Sequence, residues 1–274
     1  MKKVIVIAGV TGSGKSSLAI HLAQKFNGEI ISADSVAVYK ELDIGSAKPS
    51  MEEQGIVPHH LIATANIDEN YSVANFQKDA RLKIDDIYSR GKTPIIVGGT
   101  GLYINALIYD YHFDEQELIE IDESLTNHEL KEILNELDPV TSTKIHINNR
   151  KRLIHSVRVA KTHGKTKKEV NQANKDQYFY KSLVFFLEGD REKLYDRMNL
   201  RVDEMFEKGL LSEVEKLNNK YENLFEYQSV NSIGYREFKD YFLGNTTLDE
   251  VKDLIKRNTR RLAKRQITWF RHQT

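Results

Sequence analysis

The stretch Gly9-Val10-Thr11-Gly12-Ser13-Gly14-Lys15-Ser16 has the spacing G-x-x-x-x-G-K-S, and its residue types suit one task, the holding of phosphate. Glycines let successive backbone N–H groups turn into one concavity, a helix starting at the loop adds partial positive charge, and the Lys15 ammonium reaches a terminal phosphate. The Ser16 hydroxyl stands where such loops hold a divalent cation, so Mg2+ is the expected metal. Two further residues suggest what happens to the phosphate. Asp34 closes the apolar run "EIISAD", and its carboxylate can take a proton from a nucleophile attacking beside the loop. It can also support the metal from its outer sphere or cap a helix. Thr100, in "GGTG" after "TPIIV", can hydrogen-bond a substrate at the same place, or these glycines can serve only a tight turn. "PIIVGG" carries no acid to orient metal and water for hydrolysis, which favours transfer to an acceptor.

The elements around these residues must bring them together. "KVIVIAG" and "EIISADS" have the form of buried parallel strands, and "KSSLAIHLAQKF" between them has a helical stripe. A second helical pattern runs from Tyr71 to Arg90, and "TPIIVGGTG" is a third buried strand. This alternation predicts a doubly wound parallel α/β sheet, in which ligands lie beyond the carboxyl ends of the strands. From Asp110 to about Tyr178 only polar helices are expected, "NHELKEILNEL" and "RKRLIHSVRVAKTHG", with Gly164 as a stop. "SLVFFLEGD" then restores the buried-strand pattern, and helices follow, the last a long one from about Leu248. The expected organisation is a P-loop core begun by residues 1–109, a helical insertion over 110–178, and a second core part with C-terminal helices over 179–274.

Bulk properties narrow the class. The 274 residues include no cysteine, which excludes disulfides and zinc–thiolate sites and fits a reducing compartment. The first apolar run is too short for a signal peptide, and no run approaches the roughly 18 residues of a membrane span. A soluble, cytoplasmic chain without a membrane partner is expected. The 40 basic and 40 acidic residues cancel, yet they are segregated. Residues 150–168 hold eight Lys or Arg and no acid, residues 252–271 hold eight against Asp253, and residues 110–123 hold seven acids and no Lys or Arg. Such clusters are either solvated helix faces or the footprint of a polyanion partner. His59-His60 is a poor metal site, because adjacent residues on extended chain point to opposite sides and no third ligand lies nearby. Trp269 is expected to pack the C-terminal helix rather than to stack on a base.

Taken together, "GVTGSGKS", "EIISADSVAVYKELDIGSAKP", "VPHHLI", "YSVANFQKDA", "RGKTPIIVGGTGLYINAL", "SIGYREF" and "RRLAKRQITWFR" resemble the tRNA dimethylallyltransferases, in order from Gly9 to Arg271. The resemblance implies a P-loop fold whose phosphate loop, Thr11 to Ser16, holds the diphosphate of dimethylallyl diphosphate. Its prenyl group would go to the exocyclic amine of the adenosine 3′ to certain anticodons. Asp34 matches the family's base, Thr100 a residue touching the reacting adenine, and Arg201 in "RMNLRVDEM" a cation on the leaving diphosphate. The tRNA anticodon stem-loop would be met by Asp34, Ser35, Val36, Ala37 and Thr100, and by Lys151, Arg152, Leu153, Ile154 and His155 in the insertion. The sequence departs from the family where glutamine is replaced by Ala37, and where "RALE" is replaced by "HSVR" at 155–158. A monomer is expected. The rivals are a P-loop kinase of a small molecule using ATP, which also sets an Asp after its second strand, and a nucleotide-switched binding protein.

Overall fold

Short runs of Val and Ile that cannot face water settle the architecture of the chain's first part. The computed structural model describes residues 1–111, 113, 119–122, 124–164 and 174–273. It opens with β1 (Lys3–Gly9), α1 (Lys15–Lys25), β2 (Gly28–Ser32), α2 (Met51–Ile56), β3 (His59–His60), α3 (Val73–Ser89), β4 (Thr93–Gly98) and α4 (Gly101–Ile108). A second series is β5 (Tyr109–Asp110), α5 (Asn127–Leu137), α6 (Pro139–Lys144), α7 (Arg150–His163) and β6 (Asn174–Tyr178). The chain then continues through β7 (Lys181–Leu187), α8 (Arg191–Glu207), α9 (Leu210–Lys220), α10 (Lys239–Phe242) and α11 (Leu248–Gln273). Contacts divide it into two compact units, Met1–Ile108 with Phe179–Thr274, and Tyr109–Tyr178.

In the larger unit five strands pair in the order β3-β2-β4-β1-β7, every pair parallel. Small residues on α1, Ala19 and Ala23, let the helix lie close on Ile7, Ile30, Ile95 and Val97. The helix α3 begins two residues later than its apolar pattern suggests. Ser72 accepts from the Asn75 N–H and Asn75 reaches back to the Ser72 N–H, a capping box that fixes the start. Tyr71, outside the helix, donates its hydroxyl to Asp79 at 2.9 Å. A second apolar cluster joins Val38, Tyr39 and Leu42 to Val202, Val214, Tyr235, Phe238 and Ile255, so the loop after β2 is packed by the C-terminal helices.

Two expectations need correction. The run read as a buried strand at 182–190 is β7, an edge strand that leaves Leu183 55% and Phe185 42% exposed. An edge strand pairs on one side only, so its apolar content does not report burial on both faces. The smaller unit also contains strands, since β5 and β6 form an antiparallel ribbon. "NKDQY" has no apolar alternation, so nothing local signals it. Among its described residues the unit's other elements are the helices α5, α6 and α7. Leu130 and Leu134 of α5 pack on Ile145 and on Leu153 and Val157 of α7, Thr126 and Glu129 form a capping box for α5, and Gly164 ends α7 at φ +58°. Half of the acidic run at 110–123 and the Lys165–Lys168 end of the basic run lie outside the described residues.

At the N-terminal end of β2, Glu29 is 2% exposed and is surrounded by cations. It accepts from Arg90 (2.5 and 2.8 Å), from Lys92 (2.6 Å) and from His60 Nε2 (2.7 Å). These bonds tie the end of α3, the end of β3 and the start of β4 to one carboxylate, and Arg90 above all holds its pKa well below the usual carboxylate value. A depressed carboxylate stabilises the fold above its unfolded pKa, near 4.5, and that contribution is lost as pH falls below it. Glu29→Gln should lower the melting temperature by on the order of 5 °C at neutral pH. It should also flatten the loss of stability between about pH 4.5 and pH 2 in thermal melts.

Candidate active site

The site is built where β1, β2 and β4 end. β1 gives way to the loop Gly9–Gly14, in which Gly12 (φ +75°) and Gly14 (φ +84°) take the left-handed conformation that turns backbone N–H groups inward. Gly14 is also the N-cap of α1, so the helix starts at the loop and aims its positive end into it. Ser13 Oγ is buried against Gly9 with no hydrogen-bond partner. Lys15 folds back and donates to the Val10 carbonyl at 3.3 Å. Burial lowers its pKa to about 8, with Asp34 opposing the shift and the like charge of Arg201 adding to it.

Asp34 lies two residues beyond β2. One carboxylate oxygen, Oδ1, accepts from the N–H of Val36 (2.8 Å) and of Ala37 (3.2 Å), which fixes the orientation of the side chain. Its other oxygen takes no hydrogen bond among the described residues. Gly98 at the end of β4 makes this approach possible, because a Cβ there would stand 2.2 Å from the Ala33 carbonyl oxygen. Thr100 follows, and its Oγ1 accepts from the Ser35 N–H (3.3 Å), so the two strand ends are bonded to each other. Ala37 has its side chain buried, and Ser35 and Val36 line the cavity beside Asp34.

Arg201, on α8, reaches over the loop. Its Nη1 donates to Thr11 Oγ1 (3.3 Å) and its Nη2 to the Ala47 carbonyl (3.2 Å). Burial lowers its pKa while Asp34 raises it, so three charged groups share one poorly hydrated space. That space comprises two cavities. The larger, about 530 Å3, is lined by Thr11, Lys15, Asp34, Thr100 and Arg201, with Leu102, Met198, Val202, Ile233 and Leu262 as an apolar wall. The smaller, about 70 Å3, is lined by Lys15, Ser16, Ser32, Asp34, His59 and Arg201. Sequence spacing alone makes Arg201 an ordinary helix arginine; the family resemblance singles it out, and α8 places it against Thr11 of the loop. Ala47, Arg236 and Gln266 join the larger cavity with no local signal.

Trp269 does pack its helix, and it also forms part of the cavity wall. A Cβ on Gly101 would fall 2.2 Å from its ring, so the indole lies flush on the start of α4 next to Thr100. His59 and His60 diverge. His59 donates Nδ1–H to the Val57 carbonyl (2.8 Å), whereas His60 turns to Glu29. In the smaller unit Lys151, Arg152 and His155 are exposed on α7, Ile154 is half-buried, and Leu153 is fully buried in that unit's core.

The chain matches the model of a family described as IPP transferase over residues 37–273. It is 47% identical to a tRNA dimethylallyltransferase of an Exiguobacterium species, covering 100% of this chain and 89% of that protein. Among solved structures, the tRNA isopentenylpyrophosphate transferase of Staphylococcus epidermidis is 39% identical with a TM-score of 0.73, over 98% of this chain and 90% of that one. A eukaryotic dimethylallyltransferase acting on tRNA is 34% identical with a TM-score of 0.86, over 98% of this chain and 70% of that one. With matches of this identity running from end to end, the chain belongs to the IPP transferase family, that of the tRNA dimethylallyltransferases.

Proposed function

We propose that the protein transfers the dimethylallyl group of dimethylallyl diphosphate to the exocyclic amine of the adenosine 3′-adjacent to the anticodon in tRNA. The observation that carries this reading is the composition of the larger cavity. Its lining combines the cations Lys15 and Arg201 and the polar Asp34 and Thr100 with apolar surface from Leu102, Met198, Val202, Ile233 and Leu262. A diphosphate ester of a short hydrocarbon matches that combination of surfaces.

The reaction joins the amine nitrogen to the allylic C1 as the C1–O bond breaks, and the bonding pair leaves with diphosphate. An aromatic amine is a poor nucleophile because its lone pair is delocalised, so its proton must be taken as the bond forms. The second oxygen of Asp34 is the acceptor for that proton, and its first oxygen is locked by Val36 and Ala37. Thr100 orients the adenine. Lys15, Arg201 and the loop N–H groups neutralise the charge that grows on the departing oxygen. Ser16 is the second residue of α1, after Lys15, and no group of three or more His, Asp or Glu placed to hold a metal ion lies among the described residues. That donor set suits Mg2+, which takes a hydroxyl and phosphate oxygens and keeps several waters, better than a cation needing an all-protein cage. When bound there, Mg2+ would supply Lewis-acid assistance to the leaving diphosphate. In the smaller unit the exposed Lys151, Arg152 and His155 would hold phosphates of the anticodon stem-loop, with Leu153 serving the core beneath them.

Unmodified tRNA, Mg2+ and either dimethylallyl diphosphate or ATP separate this reading from a kinase. Prenylated adenosine should form only with the former, and phosphate transfer from ATP to a small acceptor without prenylation would overturn the proposal. In the same assay Asp34→Asn should lower kcat by about 10³-fold or more while tRNA affinity stays within about twofold. Lost tRNA binding instead would make Asp34 an RNA contact. Since Lys15 deprotonates near pH 8 in the free protein, pyrophosphate affinity measured by calorimetry should fall as pH rises above about 8. Lys15→Arg, which stays charged, should flatten that fall. Lys151→Ala with Arg152→Ala should reduce the slope of log affinity for tRNA against log salt by about 1 to 2.

A further inference from the structure

The loop after β2 has only turns over residues 41–47, yet it walls both cavities through Ser46 and Ala47. Its backbone is held from outside. Glu213, in the first turn of α9, accepts through Oε2 from the N–H of Asp43 (3.2 Å) and Ile44 (2.8 Å). Through Oε1 it accepts from the Gly45 N–H (3.3 Å) and from the Tyr235 hydroxyl (2.8 Å). That hydroxyl in turn accepts from the Ser46 N–H (3.2 Å). Four successive backbone donors thus converge on two side chains. Such a concavity of N–H groups ordinarily captures an anion, and here the anion is the protein's own carboxylate. Tyr235 is fully buried, and its ring fills the space of a residue-45 side chain, since a Cβ on Gly45 would lie 2.6 Å from it.

The next residue, Ala47, presents the carbonyl that receives Arg201 Nη2, while Nη1 bonds Thr11 of the phosphate loop. We propose that Glu213 and the Tyr235 hydroxyl are positioning residues for the leaving-group arginine, holding residues 43–46 so that the Ala47 carbonyl fixes Arg201 over the phosphate loop. The inference rests on the reading of Arg201 as the cation that meets the departing diphosphate. Long arginines have many rotamers, and two fixed acceptors confine the guanidinium before substrate arrives. Electrostatic stabilisation of a leaving group is strongest when the dipoles and charges need no rearrangement during the reaction. Neither Glu213 nor the Tyr235 hydroxyl is assigned a bond to substrate; both act through the loop.

The test is a double-mutant cycle on kcat for prenyl transfer with donor and tRNA saturating. Glu213→Gln, equal in shape but offering an amide donor to backbone donors, should lower kcat about 10- to 100-fold. Its KM for tRNA should stay within about twofold, because the loss is in the chemical step. Tyr235→Phe should do the same more weakly. Arg201→Lys keeps a charge but loses the second acceptor. Combined with Glu213→Gln it should be no slower than Arg201→Lys alone within about twofold, since both remove one interaction. Fold-losses that multiply, or wild-type kcat in Glu213→Gln, would overturn the positioning role. Wild-type kcat in Arg201→Lys and Arg201→Ala would instead sink the reading of Arg201 itself. If Glu213→Gln is not folded by circular dichroism, the cycle of Tyr235→Phe with Arg201→Lys decides by the same criterion.

Discussion

Parallel pairing of β1 with β4 on one side and β7 on the other sets Ala8 level with Gly98 and Gly9 level with Leu187. All strands therefore end at one edge, and the rest of the site depends on this. The phosphate loop leaves β1, Asp34 follows β2 and Thr100 follows β4, so three short connections from three strands open on the same space. The hydrogen bond from the Ser35 N–H to the Thr100 hydroxyl then ties two of these connections together. A parallel sheet achieves this without any residue near the site having to bind another strongly, because the direction of the chain does the convergence.

The charges at that edge are unbalanced by design of the fold. Lys15 and Arg201 face one Asp34 in a space where burial penalises each of them, and Lys15 responds with a pKa lowered to about 8. The burial and mutual repulsion of these two cations, which Asp34 offsets only in part for Lys15, favour the arrival of an anion that relieves both. The strain is tolerable because α8 and α11 are anchored elsewhere. Asp203 bridges Lys252 and Lys256 at 2.7 Å each, and Arg260 donates to Asn199, so the helix that carries Arg201 is pinned along its length.

Much of the α/β architecture and the glycine turn between β1 and α1 was legible, because each rests on local signals. The strand run before Gly9, the glycine spacing and the small-residue face of α1 occupy one continuous stretch of chain. Asp34 and Thr100 are also legible as strand-end residues. What escaped depends on partners far apart in sequence. Glu213 meets residues 168 to 170 positions away, and the bond of Arg201 to Thr11 spans 190, so Arg201 was marked by the family resemblance and by nothing local. No periodicity records such pairs. The edge position of β7 and the β5–β6 ribbon escaped for a related reason, since strand neighbours are set by topology and not by the composition of the strand itself.

The Glu29 cluster gives the sheet a division of labour along its strands. At their N-terminal end the Glu29 carboxylate takes four hydrogen bonds from Arg90, Lys92 and His60, whereas at the C-terminal end one oxygen of Asp34 takes none among the described residues. The same sheet thus has a fully bonded carboxylate at one end and a half-bonded one at the other. Evolution or design can consequently retune robustness at residues 29, 60, 90 and 92 without passing through the residues that do chemistry. Lineages adapting to heat or acid have there a set of positions whose changes need not be traded against turnover.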